Sequence, residues 1–272
     1  MIARSGLLAF ALVFAAGCQT TPTPASPPML AALSGDYFPL HSTALGRPMH
    51  IYVNLPSDYA SETRAYPTIY LTDGDSLFPL LAPTHLFLTY DEPVPPAILV
   101  GIAYGTFDPS AGNLRHVDFR VAGSPAFQRF LSDELIPEIE RRFRSNPDRR
   151  VLVGQSRGGS FVLYSALTAP DLFWGRIASN PGFQSERAFY YEPAATATHD
   201  DLGLFVASGS RDRPALRADS VAWFEHWNRA DIVRPWALNT VTIENGTHAA
   251  TIGEVYRQGL LWLFRNEPPR EN

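Results

Sequence analysis

The stretch Val151–Ser160 reads VLVGQSRGGS and places Ser156 at the centre of a Gly-x-Ser-x-Gly spacing. A serine hydroxyl becomes a useful nucleophile when a base takes its proton. Between a buried strand and a helix, this spacing makes a turn so tight that the serine takes a strained backbone conformation. The residues two positions away on either side must then lack side chains, and Gly154 and Gly158 do. Gly159 adds room for the helix to pack closely on the strand. A glycine-rich phosphate cradle is the alternative for such a turn. It would need the Gly-x4-Gly-Lys-Ser/Thr spacing, and the stretch has no lysine.

The base should be a histidine, and the chain has seven: 41, 50, 85, 116, 199, 226 and 248. Where the nucleophile sits on such a turn, the acid and then the histidine follow it along the chain. His226 lies inside the helical stretch VAWFEHW and reads as a packing or surface residue. His199 precedes the strand expected to carry the acid. His248, in ENGTHAA between a strand and the last helix, is the choice. The acid is Asp212, on the loop after LGLFVAS, with Asp219 as runner-up in the following helix. Its carboxylate would hold the imidazole tautomer and stabilise the imidazolium. A surface ion pair with Arg211 or Arg213 is the competing reading of Asp212. An oxyanion needs two N–H donors. The backbone of Arg157 is one; the other is expected from Asp75, with Ser76 next, on the loop after PTIYLTDGD. Asp73 stabilises that turn. The Asp-Gly-Asp run has too few acids for a Ca²⁺ loop.

These residues need a scaffold that brings strand ends together. MHIYVNLP (49–56), PTIYLTDGD (67–75) and AILVGIAY (97–104) read as strands, as does RVLVGQS (150–156). FWGRIASNPG (173–182), LGLFVASGS (202–210) and WALNTVTIENG (236–246) end in further strands. Helical periodicity marks 124–143, with Ser124 as N-cap, Pro125 at the first helical position and a bend at Pro137. Further helices are expected at 157–170, around 215–230 and at 251–264. Apolar strands alternating with helices predict an α/β fold, a mostly parallel central sheet with helices on both faces. Sites in such sheets lie beyond the C-terminal strand ends, where all of these motifs fall.

The 272 residues are 45% hydrophobic and 18% charged, the composition of a soluble globular chain, with a net charge of −5 that argues against a nucleic-acid surface. The densest basic run, RRFRSNPDRR (141–150), reads as cations at a helix C-terminus. Neither HExxH nor a Cys/His ligand spacing occurs, so neither metal nor other cofactor is expected.

The N-terminus carries Arg4, a short apolar run at Leu7–Ala16 and the sequence FAAGC, which resembles a bacterial lipobox. Residues 1–17 read as a lipoprotein-type signal peptide and Cys18, the one cysteine of the chain, as the lipidation site. Residues 18–29 are a Pro/Thr-rich tether and 30–272 the catalytic domain. Gln19 after the cysteine resembles lipoproteins sorted to an outer membrane. The expectation is an exported enzyme facing the periplasm or cell surface and touching the membrane through its lipid anchor alone. A soluble periplasmic protein, cut at an ordinary secretory signal, is the alternative.

The chain resembles the putative-esterase branch of the α/β-hydrolases, the group of esterase D-like enzymes, siderophore (enterobactin-type) esterases and, more distantly, mycolyltransferases. IYVNLPSDY (51–59), PTIYLTDGDSLF (67–78), VGIAY (100–104), RHVDF (115–119), LSDELIPEIERRF (131–143), GQSRGG (154–159) and ENGTHAATIGEVYRQGLLWLF (244–264) carry the resemblance. It implies a serine hydrolase with Ser156 and His248 at the catalytic positions. Asp212 matches the family acid, often Glu, only loosely, and some relatives manage with a Ser–His dyad. Where relatives carry a serine and a tryptophan, SNPGF (179–183) stands instead.

The expected activity is carboxylic-ester hydrolysis through an acyl-enzyme on Ser156, with His248 as general base and a small-molecule ester as partner. A siderophore or a small acyl ester fits the resemblance. Arg157, Arg115 and Arg187 either attract an anionic substrate or make surface ion pairs. Acyl transfer on the same fold is an alternative, and so is a non-catalytic binding lipoprotein, which would lack the serine or the histidine. Replacing Cys18 with Ser is expected to move the protein from the membrane fraction to the soluble one; unchanged partitioning would refute the lipid anchor.

Overall fold

The computed structural model describes Leu33 and residues 35–267. The signal peptide at 1–17, Cys18 and the tether at 18–29 lie outside the described residues.

Eight strands form one sheet in the order β1-β2-β4-β3-β5-β6-β7-β8. They are β1 (Gly35–Ser42), β2 (Arg47–Asn54), β3 (Tyr66–Leu71) and β4 (Ile98–Ala103), then β5 (Ser145–Gln155), β6 (Gly175–Ser179), β7 (Gly203–Gly209) and β8 (Ala237–Ile243). The β1–β2 and β2–β4 pairs are antiparallel and the others parallel. The mostly parallel sheet is therefore as expected, with an antiparallel pair added at one edge. Strand β1, GDYFPLHS, escaped the sequence reading. Its residues are largely exposed, as on an edge strand, and Pro39 weakens the pattern.

Strands β3, β4 and β7 are buried at every position, which explains their continuous apolar runs. Alternate residues feed opposite faces. Ile69, Leu71, Val151 and Val153 meet one core, whereas Tyr66, Tyr70 and Leu152 meet the other. Helices α1 (Gly74–Asp91) and α7 (Ile252–Leu263) cover the first face. The second is covered by α3 (Ser124–Arg129), α4 (Ile136–Arg142), α5 (Arg157–Thr168) and α6 (Pro214–Trp227), while α2 (Arg115–Asp118) is a single turn beside the strand ends. Helix α1 was not read from the sequence, because Pro79 and Pro83 interrupt its pattern.

Two details of the 124–143 helix differ from expectation. Ser124 is its first helical residue rather than its N-cap, a place Gly123 takes. The Ser124 amide donates to Arg120 O at 2.8 Å, so the turn before it runs straight into the helix. The irregularity is also broader than a bend at Pro137. Residues Phe130–Leu135 form a π-helical segment, and Ile136 N–H donates back to Leu131 O. The wider turn makes room for a proline ring and absorbs its missing donor. In the basic run, Arg141 and Arg142 pair with Glu138, Arg149 with Glu267 and Arg150 with Glu140. They are structural cations.

Arg176 on β6 is buried, with no described carboxylate bonded to it. Its guanidinium donates to Ala169 O (2.7 Å), Phe173 O (2.8 Å) and Pro170 O (3.0 Å), and to Ser165 O at 3.3 Å. It thus binds carbonyls at the end of α5 and in the turn that follows it; of the four, Ser165 O also accepts from Ala169 N and Ala169 O from Leu172 N. Burial pulls its pKa down to about 9, so it remains charged at neutral pH. Arg176→Leu should orphan Pro170 O and Phe173 O, at about 1–3 kcal/mol each. Thermal unfolding is expected to show a melting point lower by at least several degrees; an unchanged one would refute this role.

Candidate active site

Among the described residues, four non-glycine residues have positive φ: Asp73 (52°), Ser156 (57°), Asn180 (44°) and Asn245 (59°). Each lies one or two residues beyond the end of a parallel strand: β3, β5, β6 and β8 in turn. Such backbone costs of order 1–3 kcal/mol per residue and gathers at functional sites. Here it lies along the C-terminal edge of the sheet.

Ser156, with φ 57° and ψ −117°, joins β5 to α5. A Cβ on Gly154 would stand 2.3 Å from Gly158 O, and one on Gly158 would stand 2.4 Å from Thr72 Oγ1. Both glycines are thus required by contact. Gly159 fits against the end of β6, where a Cβ would meet Ser179 O at 2.9 Å. The Ser156 amide donates to Ser179 O at 2.9 Å, which locks the turn to the neighbouring strand.

His248 reaches this serine across 92 residues of sequence, with Nε2 2.9 Å from Ser156 Oγ. Its Nδ1 lies 2.9 and 3.0 Å from the two oxygens of Asp212. A carboxylate only accepts, so Nδ1 carries the hydrogen and Nε2 presents a lone pair to the serine hydroxyl. The Asp212 side chain is fully buried, and Arg213 N–H donates to its Oδ1 at 2.6 Å. Among the described residues, no ion pair joins Asp212 to Arg211 or Arg213. Asp219 sits elsewhere, bonded to Arg187. His226 packs edge-on against Tyr191 and Trp227, and His199 lies where its backbone binds Asp171.

Asp75 and Ser76 line the same cleft of about 200 Å³ as Ser156 and His248. Asp75 is the second residue of α1 and Arg157 the first of α5. Their N–H groups belong to first turns, which have no acceptor within the helix. The Asp75 carboxylate accepts from Tyr104 N (2.7 Å) and Gly105 N (2.8 Å), fixing the start of α1 to the end of β4. Asp73 holds the turn before α1 through two bonds from Arg115, at 2.6 and 3.0 Å. Burial raises its pKa, with Asp75 adding to the rise and Arg115 opposing it. Arg115 therefore both pairs and lines the cleft, whereas Arg187 is an ion-pair partner. Arg157 has no side-chain hydrogen bond or ion pair to a described residue. Burial lowers its pKa, and the nearby Arg115 and Arg120 lower it further.

Two positioning residues were missed. Gln155 Nε2 donates to His248 O at 2.7 Å, and Asn180 Nδ2 to the same oxygen at 3.0 Å. Asn180 also accepts from Gly209 N at 2.7 Å, tying the β6 end to the β7 loop that carries Asp212. The unusual SNPGF stretch was the available signal: asparagine tolerates positive φ and can bond on both sides.

The sequence profile of the family described as "Putative esterase" matches residues 42–251. The chain belongs to this family. It is a carboxylic-ester hydrolase, and its sheet and helices are those of the α/β-hydrolase type. Ferri-bacillibactin esterase BesA of Bacillus subtilis is 32% identical over 196 residues, 61% of this chain and 67% of that protein. The apo-salmochelin esterase of Escherichia coli O6:H1 is 28% identical over 141 residues, 45% of this chain and 43% of that protein. The crystal structure of the BES protein from Bacillus cereus superposes with a TM-score of 0.73 at 20% identity, covering 89% of this esterase and 99% of that chain.

Asn180→Ala removes from this esterase the amide bonds to His248 O, Gly209 N and Ser179 Oγ and leaves a Cβ-bearing residue in the left-handed region without compensation. A loss of about 2–3 kcal/mol is expected, measured by denaturant unfolding. Asn180→Gly relieves the backbone and isolates the hydrogen-bond share. Two variants as stable as the parent would refute the linking role.

Proposed function

We propose that the protein hydrolyses carboxylic esters through a covalent acyl-enzyme on Ser156. The observation that carries this reading is the 2.9 Å approach of His248 Nε2 to Ser156 Oγ, with Nδ1 bonded to Asp212. Ser156 Oγ attacks the ester carbonyl carbon while its proton passes to Nε2. The carbonyl π electrons move onto oxygen, and the N–H groups of Arg157 and Asp75 stabilise that oxyanion. The oxyanion re-forms the carbonyl, the C–O bond to the alcohol breaks, and the alcohol departs with the proton from Nε2. Water then repeats the sequence on the acyl-enzyme, giving up a proton to His248 and releasing the carboxylic acid. Asp212 holds the tautomer and stabilises the imidazolium throughout.

The substrate we propose is a siderophore or another small acyl ester bearing an anionic group. The names of the bacillibactin and salmochelin esterases support the first. Arg157, the residue after Ser156, has no ion-pair partner among the described residues and lies near Arg115 of the cleft, which supports an anionic group. An exported enzyme, lipid-tethered at Cys18, is the location that accompanies this reading.

Ser156→Ala is expected to abolish labelling by a fluorophosphonate probe and to lower p-nitrophenyl acetate hydrolysis by several orders of magnitude. Asp212→Asn should keep the fold and reduce kcat by roughly 10⁴. Parental hydrolysis by purified Ser156→Ala protein would refute the mechanism.

A further inference from the structure

A second cavity, of about 390 Å³, opens beside the catalytic cleft and uses none of the triad. Its wall includes Tyr37 of β1, Tyr52 of β2, and Phe78 and Pro79 of α1. Two elements border both spaces. Gly74, Asp75, Phe78 and Pro79 face the larger cavity, while Asp75, Ser76 and Leu77 face the cleft. On the segment after β4, Gly105 faces the larger cavity and Phe107 the cleft. The two spaces therefore meet at Asp75, the residue whose N–H is assigned to the oxyanion.

The lining says what could enter. Tyr37 and Tyr52 lie with ring centroids 5.0 Å apart, and Tyr52 and Phe78 5.8 Å apart, making a continuous aromatic row. Two carboxylates, Asp36 and Asp75, stand on the same wall and repel an anion. Both are already engaged. Asp75 accepts from Tyr104 N and Gly105 N, and Asp36 accepts from Tyr37 N at 2.8 Å and lies 3.9 Å from Arg142. They therefore offer little to a cation. What remains is aromatic and apolar surface. A dry apolar cavity of about 150 Å³ holds benzene, so this one has room for a substituted ring.

We propose that this cavity is a specificity subsite that takes an uncharged aromatic ring attached to the ester, on its acyl or its alcohol side. The inference rests on Ser156 being the nucleophile. It gives the site two unlike ends: Arg157, next in the chain after the serine, and an aromatic pocket that disfavours anions past Asp75. Ring-on-ring packing, in offset or edge-on geometry, would supply the binding.

The test compares the full chain with Tyr52→Ala, which removes the middle ring, and Pro79→Trp, which narrows the pocket from an exposed position. Two matched series are assayed: ethyl acetate against ethyl 3-phenylpropanoate, and ethyl acetate against benzyl acetate. Matching esters carrying a trimethylammonium or a carboxylate in place of the phenyl are assayed alongside. In the parent, kcat/KM for the phenyl ester of at least one series should exceed that of ethyl acetate by about ten-fold or more. Both variants should lose most of this advantage through KM, with ethyl acetate turnover and fluorophosphonate labelling close to parental. A labelled parent with no phenyl preference overturns the subsite alone. So does a preference that survives in both variants, or a stronger one for the ammonium or carboxylate ester. A parent that resists the label overturns the Ser156 reading, and this one with it.

Discussion

The backbone turn at Ser156 is the constraint on which the rest of this structure depends. At φ 57° and ψ −117° the chain leaves β5 and enters α5 without an intervening loop. That geometry forces the carbonyl of Gly158 to within 2.3 Å of where a Cβ on Gly154 would lie. It also aims the first turn of α5, with its unpaired N–H groups, at the space in front of the serine. The strain is offset by what surrounds it: buried strands on either side, the Ser156 amide bonded to β6, and Gly182 N–H donating to the Ser160 hydroxyl on α5.

The other loops are arranged around this turn as a set of mutual clamps. His248 is held at both ends, its imidazole by Asp212 and its backbone carbonyl by Gln155 and Asn180. Gln155 is the residue before the serine, so the turn that presents one group also restrains its partner. Asn180 extends the restraint to β7 through Gly209. Three strand ends are thus coupled by side-chain amides whose hydrogen-bonding capacity is well used. Buried polar networks of this kind specify one arrangement when their members are satisfied.

Charge is distributed unevenly around the cleft. Asp73 and Arg115 neutralise each other within it. Arg157, which follows Ser156 in the chain, has no ion-pair partner among the described residues. On the far side of Asp75 the surface turns aromatic and acidic. An ester lying across the cleft would meet opposite environments at its two ends, which is a basis for orienting it before any bond changes.

Much of this was legible from residue order alone. The glycine spacing around Ser156 is a steric requirement, so it shows in sequence. The histidine could be chosen because chain order and the helical setting of His226 exclude its rivals, and the buried strands appear as unbroken apolar runs. Other features were invisible for physical reasons. Strand β1 is an exposed edge without a strong apolar pattern, and α1 contains two prolines. The π segment before Pro137 reflects a backbone adjustment that periodicity averages away. Gln155 and Asn180 act on a backbone carbonyl, so the SNPGF stretch signals an unusual turn without naming what Asn180 binds. Residue chemistry and local sterics marked Ser156, His248, Asp212 and the fold class; the tertiary structure alone decided which amides and which cavity stand beside them, because those choices rest on distances between segments far apart in the chain.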